Sequence, residues 1–130
     1  MTCQLFSALL ITGGHGAKKS TEIFLPSNNT GCSLLPELPE GRLGQSQDNE
    51  LVCGGGDGDN RNTTRSCDRW TNGSWTRTTI RLRESRRNHV SWSTERGIYL
   101  IGGSYSKRTS ELVGWDGKVK DGFVVAFDTE

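Results

Sequence analysis

The sequence predicts an all-β chain assembled from repeated four-stranded antiparallel units. Three observations predict it. A short apolar strand runs into Gly-Gly three times, at 9–14, 51–55 and 99–103. The copies recur at 41 residues (Gly14 to Gly55) and 48 residues (Gly55 to Gly103), a period that in short strands marks stacked sheet units. No stretch sustains a helical spacing of apolar residues, and Pro36, Pro39 and the 17 glycines oppose one.

Each element of the unit can be placed in turn. The first strand ends at Gly13-Gly14, Gly54-Gly55 or Gly102-Gly103. A polar loop follows, and then a second strand over 20–25, 64–70 or 110–115. Turns come next at 26–31, 71–74 and 115–118, where Asn72-Gly73 and Asp116-Gly117 offer the positive φ that tight hairpins need. Third strands start at Cys32, at Trp75 and near Val119. The linker Leu38-Pro39-Glu40-Gly41-Arg42-Leu43-Gly44-Gln45 aligns with Leu82-Arg83-Glu84-Ser85-Arg86-Arg87-Asn88-His89. A fourth strand then leads to the next Gly-Gly, with Val90 and Trp92 on one face and His89, Ser91 and Ser93 on the other.

Composition fits this plan. The 130 residues suit one domain, and only 32% are hydrophobic, so short strands and many turns are expected rather than one large core. The net charge of +1 gives no reason to expect nucleic acid as a partner. No apolar run approaches the length of a membrane span, and none is expected. The start, MTCQLFSALLITGG, has no Lys or Arg ahead of its apolar stretch and is read as structure rather than as a leader.

Cys3, Cys32, Cys53 and Cys67 show no zinc-pair spacing, so no metal is expected, and their even number suits disulfides. Two pairings involving Cys53 stay open: Cys53 with Cys67 across a hairpin, or Cys32 with Cys53 between neighbouring units. Three glycosylation sequons begin at Asn28, Asn62 and Asn72, each in an expected turn or loop. Cysteines and sequons together predict a secreted, extracellular glycoprotein. A cytoplasmic protein with reduced thiols is the alternative.

The repeat resembles the kelch motif, in which an apolar strand, Gly-Gly, an aromatic in the second strand, a Trp opening the third and Arg-x-x-His succeed one another. The second copy carries Gly54, Gly55, Trp70, Trp75, Arg86 and His89. The first carries Gly13, Gly14, Phe24, Arg42 and Gln45, with Cys32 where the Trp would stand. The third carries Gly102 and Gly103. The resemblance covers nearly the whole chain and divides it into repeats at 7–41, 42–86 and 87–130. It implies an incomplete kelch-type β-propeller, with the remaining blades C-terminal, because such rings usually close with four to eight blades. It also implies structural roles for Arg42, Arg86 and His89.

Several chemical motifs compete with this reading. Gly13 to Ser20 approaches a phosphate-binding loop, but Lys18 replaces a required glycine and a β-like run ending at Pro26 replaces the helix. Gly56 to Asn62 approaches a calcium loop, but Arg61 and Asn62 occupy positions that need an oxygen ligand and a glycine. Arg77, Arg81, Arg83, Arg86 and Arg87 form a basic run beside Trp75 that could draw an anion, although Arg81 and Arg83 alternating on a strand would mark a solvated face. For catalysis there are two histidines, His15 and His89, and no G-x-S-x-G elbow. Propellers with kelch-like repeats also include a copper-radical enzyme type, but Tyr99 and Tyr105 have no paired histidines nearby.

The expected function is therefore a non-enzymatic kelch-repeat scaffold without a cofactor. It would bind a protein partner, or a glycan or peptide ligand, through its blade loops. The alternatives are the substrate-recognition propeller of a ubiquitin-ligase adaptor and part of a galactose-oxidase-like enzyme.

Overall fold

The computed structural model describes residues 9–14, 19–25, 30–32, 35–48, 50–56, 63–104 and 108–123. These form three antiparallel sheets and no helix. The first holds β1 (Leu9–Thr12), β2 (Thr21–Leu25) and β3 (Thr30–Cys32). The second holds β4 (Ser46–Asp48), β5 (Leu51–Cys53), β6 (Ser66–Thr71) and β7 (Ser74–Arg81). The third holds β8 (Val90–Thr94), β9 (Gly97–Ile101), β10 (Ser110–Gly114) and β11 (Val119–Asp121). Strands lie in chain order within each sheet, so each is a meander. The second sheet's β6 begins at Ser66, two residues later than the sequence suggests. Thr64 instead turns its hydroxyl to Glu40 and Ser66.

The turns follow local chemistry. Asn72 (φ 52°) and Gly73 (φ 83°) join Thr71 to Ser74 in a two-residue loop with both centres left-handed, matching the twist of the flanking strands. The turn after β10 spans the expected residues 115–118 between the strands. Of Asp116-Gly117, only Gly117 (φ 84°) is left-handed. The Asp116 carboxylate instead accepts the Lys118 N–H at 3.0 Å. The β6–β7 ladder shifts register between Ser66 and Asp68. There the Thr78 hydroxyl donates to the Cys67 carbonyl at 2.7 Å and accepts from Ile80 N–H at 3.2 Å, so the irregularity leaves those two groups satisfied.

Burial patterns report how the sheets stack. All three residues of β5 are buried, so the second sheet is covered on both faces. One face presents Leu51, Cys53 and Cys67 to Ile98, Leu100 and Val113 of the third sheet, and Ile80, Leu82 and Val119 complete that cluster. The other face meets the first sheet. There Trp75 Nε1 donates to Thr21 Oγ1 at 2.8 Å, and Thr12 Oγ1 donates to Gln47 at 2.8 Å. Strand β9 alternates instead, with Ile98 and Leu100 buried and Tyr99 and Ile101 only half-buried. Among the described residues, only one face of the third sheet is thus covered by another sheet.

Cys53 and Cys67 stand directly opposite each other and form a disulfide, with Cα atoms 4.2 Å apart. This settles the open pairing in favour of the cross-strand bridge, and Cys53 is not available to Cys32. Among the described residues no helix is long and apolar enough to cross a membrane.

Candidate functional site

The two linker arginines organise the molecule. Arg42 and Arg86 are 0% and 1% exposed, and a buried guanidinium persists only if its donors are matched. Arg42 donates to the carbonyls of Gly54 (2.6 Å) and Ser66 (3.1 Å), to Ser66 Oγ (2.8 Å) and to Asp68 Oδ2 (2.7 Å). Arg86 repeats the pattern one sheet later. It donates to the carbonyls of Gly102 (2.8 Å) and Thr109 (2.9 Å), to Thr109 Oγ1 (2.8 Å) and to Glu111 Oε2 (2.8 Å).

The backbone of each arginine faces the other way. Gly14 N–H donates to the Arg42 carbonyl at 3.0 Å, and Gly55 N–H donates to the Arg86 carbonyl at 2.7 Å. Each linker arginine is thereby held between two successive Gly-Gly turns. Its carbonyl accepts from the turn behind, and its guanidinium donates to the turn ahead. The geometry requires glycine. A Cβ on Gly54 (φ 70°) would lie 2.6 Å from the Arg86 carbonyl oxygen, and one on Gly13 (φ 66°) would lie 2.7 Å from that of Arg42. Gly103 (φ 116°) approaches the Arg87 carbonyl in the same manner.

Acidic residues complete each clamp. Asp68 is 0% exposed and also accepts from Arg77 Nε at 2.6 Å. Glu111 is 1% exposed and also accepts the Arg83 N–H at 2.7 Å. Glu40 and Glu84 sit two residues before the arginines and reach the same hydroxyls, Ser66 and Thr109. Burial would raise the Glu40 carboxyl pKa. The Ser66 hydrogen bond and the Arg42 and Arg77 charges outweigh that and bring it below the ordinary value.

His89 lies over Gly54, where an added Cβ would come within 2.9 Å of its Cε1. Neither ring nitrogen has a hydrogen-bond partner among the described residues. Burial, with the Arg86 charge as a second cause, lowers its pKa to about 4, so the ring is neutral near pH 7. Gln45 holds the matching place in the first linker and donates to the Thr12 carbonyl at 2.7 Å.

Three members of the basic run are held in separate ion pairs. Arg77 joins Asp68 and Glu40, Arg83 joins Asp121, and Arg86 is buried on Glu111. Arg83 lies beyond β7, so it does not alternate with Arg81 on one strand as the sequence suggests.

One open surface among the described residues is the second face of the third sheet. Trp92 stacks on Tyr99 with ring centroids 5.6 Å apart, and Tyr99 meets Phe123 at 5.7 Å. Trp92 is 57% exposed, Phe123 44% and Val90 63%. A shallow hollow of about 360 Å³ lies among Trp92, Arg96, Tyr99 and Phe123. A second of about 580 Å³ lies beyond Tyr99, edged by Arg96, Trp115, Lys118 and Lys120.

Asn72 is exposed at its turn tip. Asn28, Asn62, His15, Lys18, Tyr105, the calcium-like loop from Asp57 to Asn62 and the side chain of Cys32 lie outside the described residues. Sequence reasoning singled out the arginines but missed Asp68, Glu111, Glu40 and Glu84. The available signal was the recurrence of Ser66-x-Asp68 as Thr109-x-Glu111. Among the described residues no three His, Cys, Asp or Glu side chains come together as a metal site. No protein-family model matches this chain, and no curated protein matches it.

Proposed function

We propose that the chain is a run of kelch-type blades from a larger β-propeller and that it acts as a non-catalytic binding scaffold. The observation that carries this reading is the linker clamp, formed twice with the same donors and acceptors in the same register. Such a device fixes the angle between successive sheets and makes the stack rigid. Rigid stacks present loops in fixed positions, and loops on rigid scaffolds are where recognition resides. The loops after each Gly-Gly, at 15–18, 57–62 and 105–107, would engage a protein partner or a glycan or peptide ligand. The open face of Trp92, Tyr99 and Phe123 would be covered by the next blade. The buried Cys53–Cys67 bridge fits an oxidising compartment and hence an extracellular location.

Selection of displayed peptides, together with a glycan panel, tests the reading. Ligands that lose binding when 57–62 and 105–107 are replaced by Gly-Ser, with the unfolding midpoint unchanged, are expected. Ligands indifferent to both replacements, or turned over by the chain, would contradict it.

A further inference from the structure

The clamp has three acceptor sites, and the described chain fills two of them. In every sheet an apolar residue of the strand that runs into Gly-Gly stands directly opposite an acid. The pairs are Ile11 with Glu22, Val52 with Asp68, and Leu100 with Glu111. The residue two places before each acid accepts from the first glycine of its own turn: Ser20 from Gly13, Ser66 from Gly54, and Thr109 from Gly102. The three sites are thus equivalent in register and in backbone hydrogen bonding.

Their surroundings differ. Val52 and Asp68 are both 0% exposed beneath the first sheet and the Arg42 linker. Leu100 and Glu111 are both 1% exposed beneath the second sheet and the Arg86 linker. Ile11 is 44% exposed, and Glu22 is exposed and forms no ion pair among the described residues. An apolar side chain beside a carboxylate, on a sheet face that its two counterparts bury completely, is a socket awaiting the same ligand.

We propose that the Ile11–Glu22 face of the first sheet docks another β-blade, whose linker inserts an arginine between the Gly13 carbonyl and the Glu22 carboxylate. The occupant follows from charge and shape. The Glu22 site needs a planar donor able to reach a carbonyl and a carboxylate together, which is what guanidinium does at both filled sites. A second copy of this chain is disfavoured. The arginines in the clamp-forming position of its two linkers, Arg42 and Arg86, are already buried in their own clamps. The inference rests on the reading of the chain as part of a larger stack of blades and not on the ligand-binding reading of the loops.

The test is a ¹⁵N NMR titration of the full chain with a blocked peptide that copies its own linker, residues 35–47. Shifts confined to Gly13, Gly14, Thr21 and Glu22 are expected, with a dissociation constant on the order of 1 mM for so small a contact. Glu22→Gln in the protein, or Arg42→Gln in the peptide, should weaken binding at least tenfold. Because Glu22 is exposed, the Glu22→Gln protein should keep its unfolding midpoint. No shift up to the solubility limit, shifts indifferent to either substitution, or concentration-dependent self-association that protects Ile11 would each overturn the proposal. Loss of loop-dependent ligand binding would leave these shifts untouched, so failure of one reading is distinguishable from failure of the other.

Discussion

Replacing Arg86 by Met keeps most of the apolar stem and removes the guanidinium. The structure sets the scale of the damage. Five donor contacts vanish, to Glu111 Oε2, the Gly102 and Thr109 carbonyls, Thr109 Oγ1 and Glu84 Oε2. Glu111, 1% exposed, then keeps two backbone N–H donors but loses its counter-charge. Removing one partner of a buried pair typically costs about 3–5 kcal/mol. That is a large part of the roughly 5–15 kcal/mol that holds a domain folded. The assay is equilibrium urea unfolding of wild type, Arg86→Met, Glu111→Gln and the double variant. The double variant should lose less than the sum of the singles, by about 0.5–3 kcal/mol, because neutralising Glu111 relieves the stranded charge. A single-variant cost under 1 kcal/mol, or strict additivity, would refute the clamp as a stabilising device.

Two further outcomes follow from the same contacts. His89 titrates near 6.5 when unfolded and about 4 when folded, so protons favour the unfolded chain. Stability should be complete above about pH 6.5 and fall as pH drops toward 4, by roughly 3 kcal/mol at 1.36 kcal/mol per unit. In His89→Gln, which copies Gln45, that slope should disappear from urea midpoints taken across the range, and its persistence would assign the slope to other groups. Reduction of Cys53–Cys67, which closes a loop of 14 residues, should lower stability by about 3 kcal/mol. Urea midpoints with and without reductant measure it, and an unchanged midpoint would show that the bridge adds nothing.

The parts of this fold legible in the sequence were those governed by local rules. Asn72-Gly73 encodes a two-residue hairpin because both positions accept positive φ. The three Gly-Gly pairs set the register because no side chain fits where the linker carbonyls approach. Arg42 and Arg86 stood out by their equal place in two linkers. Their acceptors did not, for a physical reason. Strand pairing brings Asp68 and Glu111 to the clamp across loops of unequal length, from Gly54 to Ser66 in one and from Gly102 to Thr109 in the other. An isolated acid in a strand reads as solvent-facing unless its cross-strand partner is known. The disulfide was ambiguous on similar grounds. Cys53 could face either neighbouring sheet, and only the pairing of Cys53 with Cys67 at opposed positions decides it.

The arginine clamp is tested most directly by the exchange of arginine Nε–H protons with water. In ¹⁵N spectra of the folded chain, the Arg42 and Arg86 Nε–H signals should persist under conditions where those of exposed Arg81 and Arg96 have exchanged away. Arg42→Lys should delete one protected signal and Arg86→Lys another. If all the arginine signals exchange alike, or if neither substitution removes a protected signal, the linker arginines are not buried between successive Gly-Gly turns.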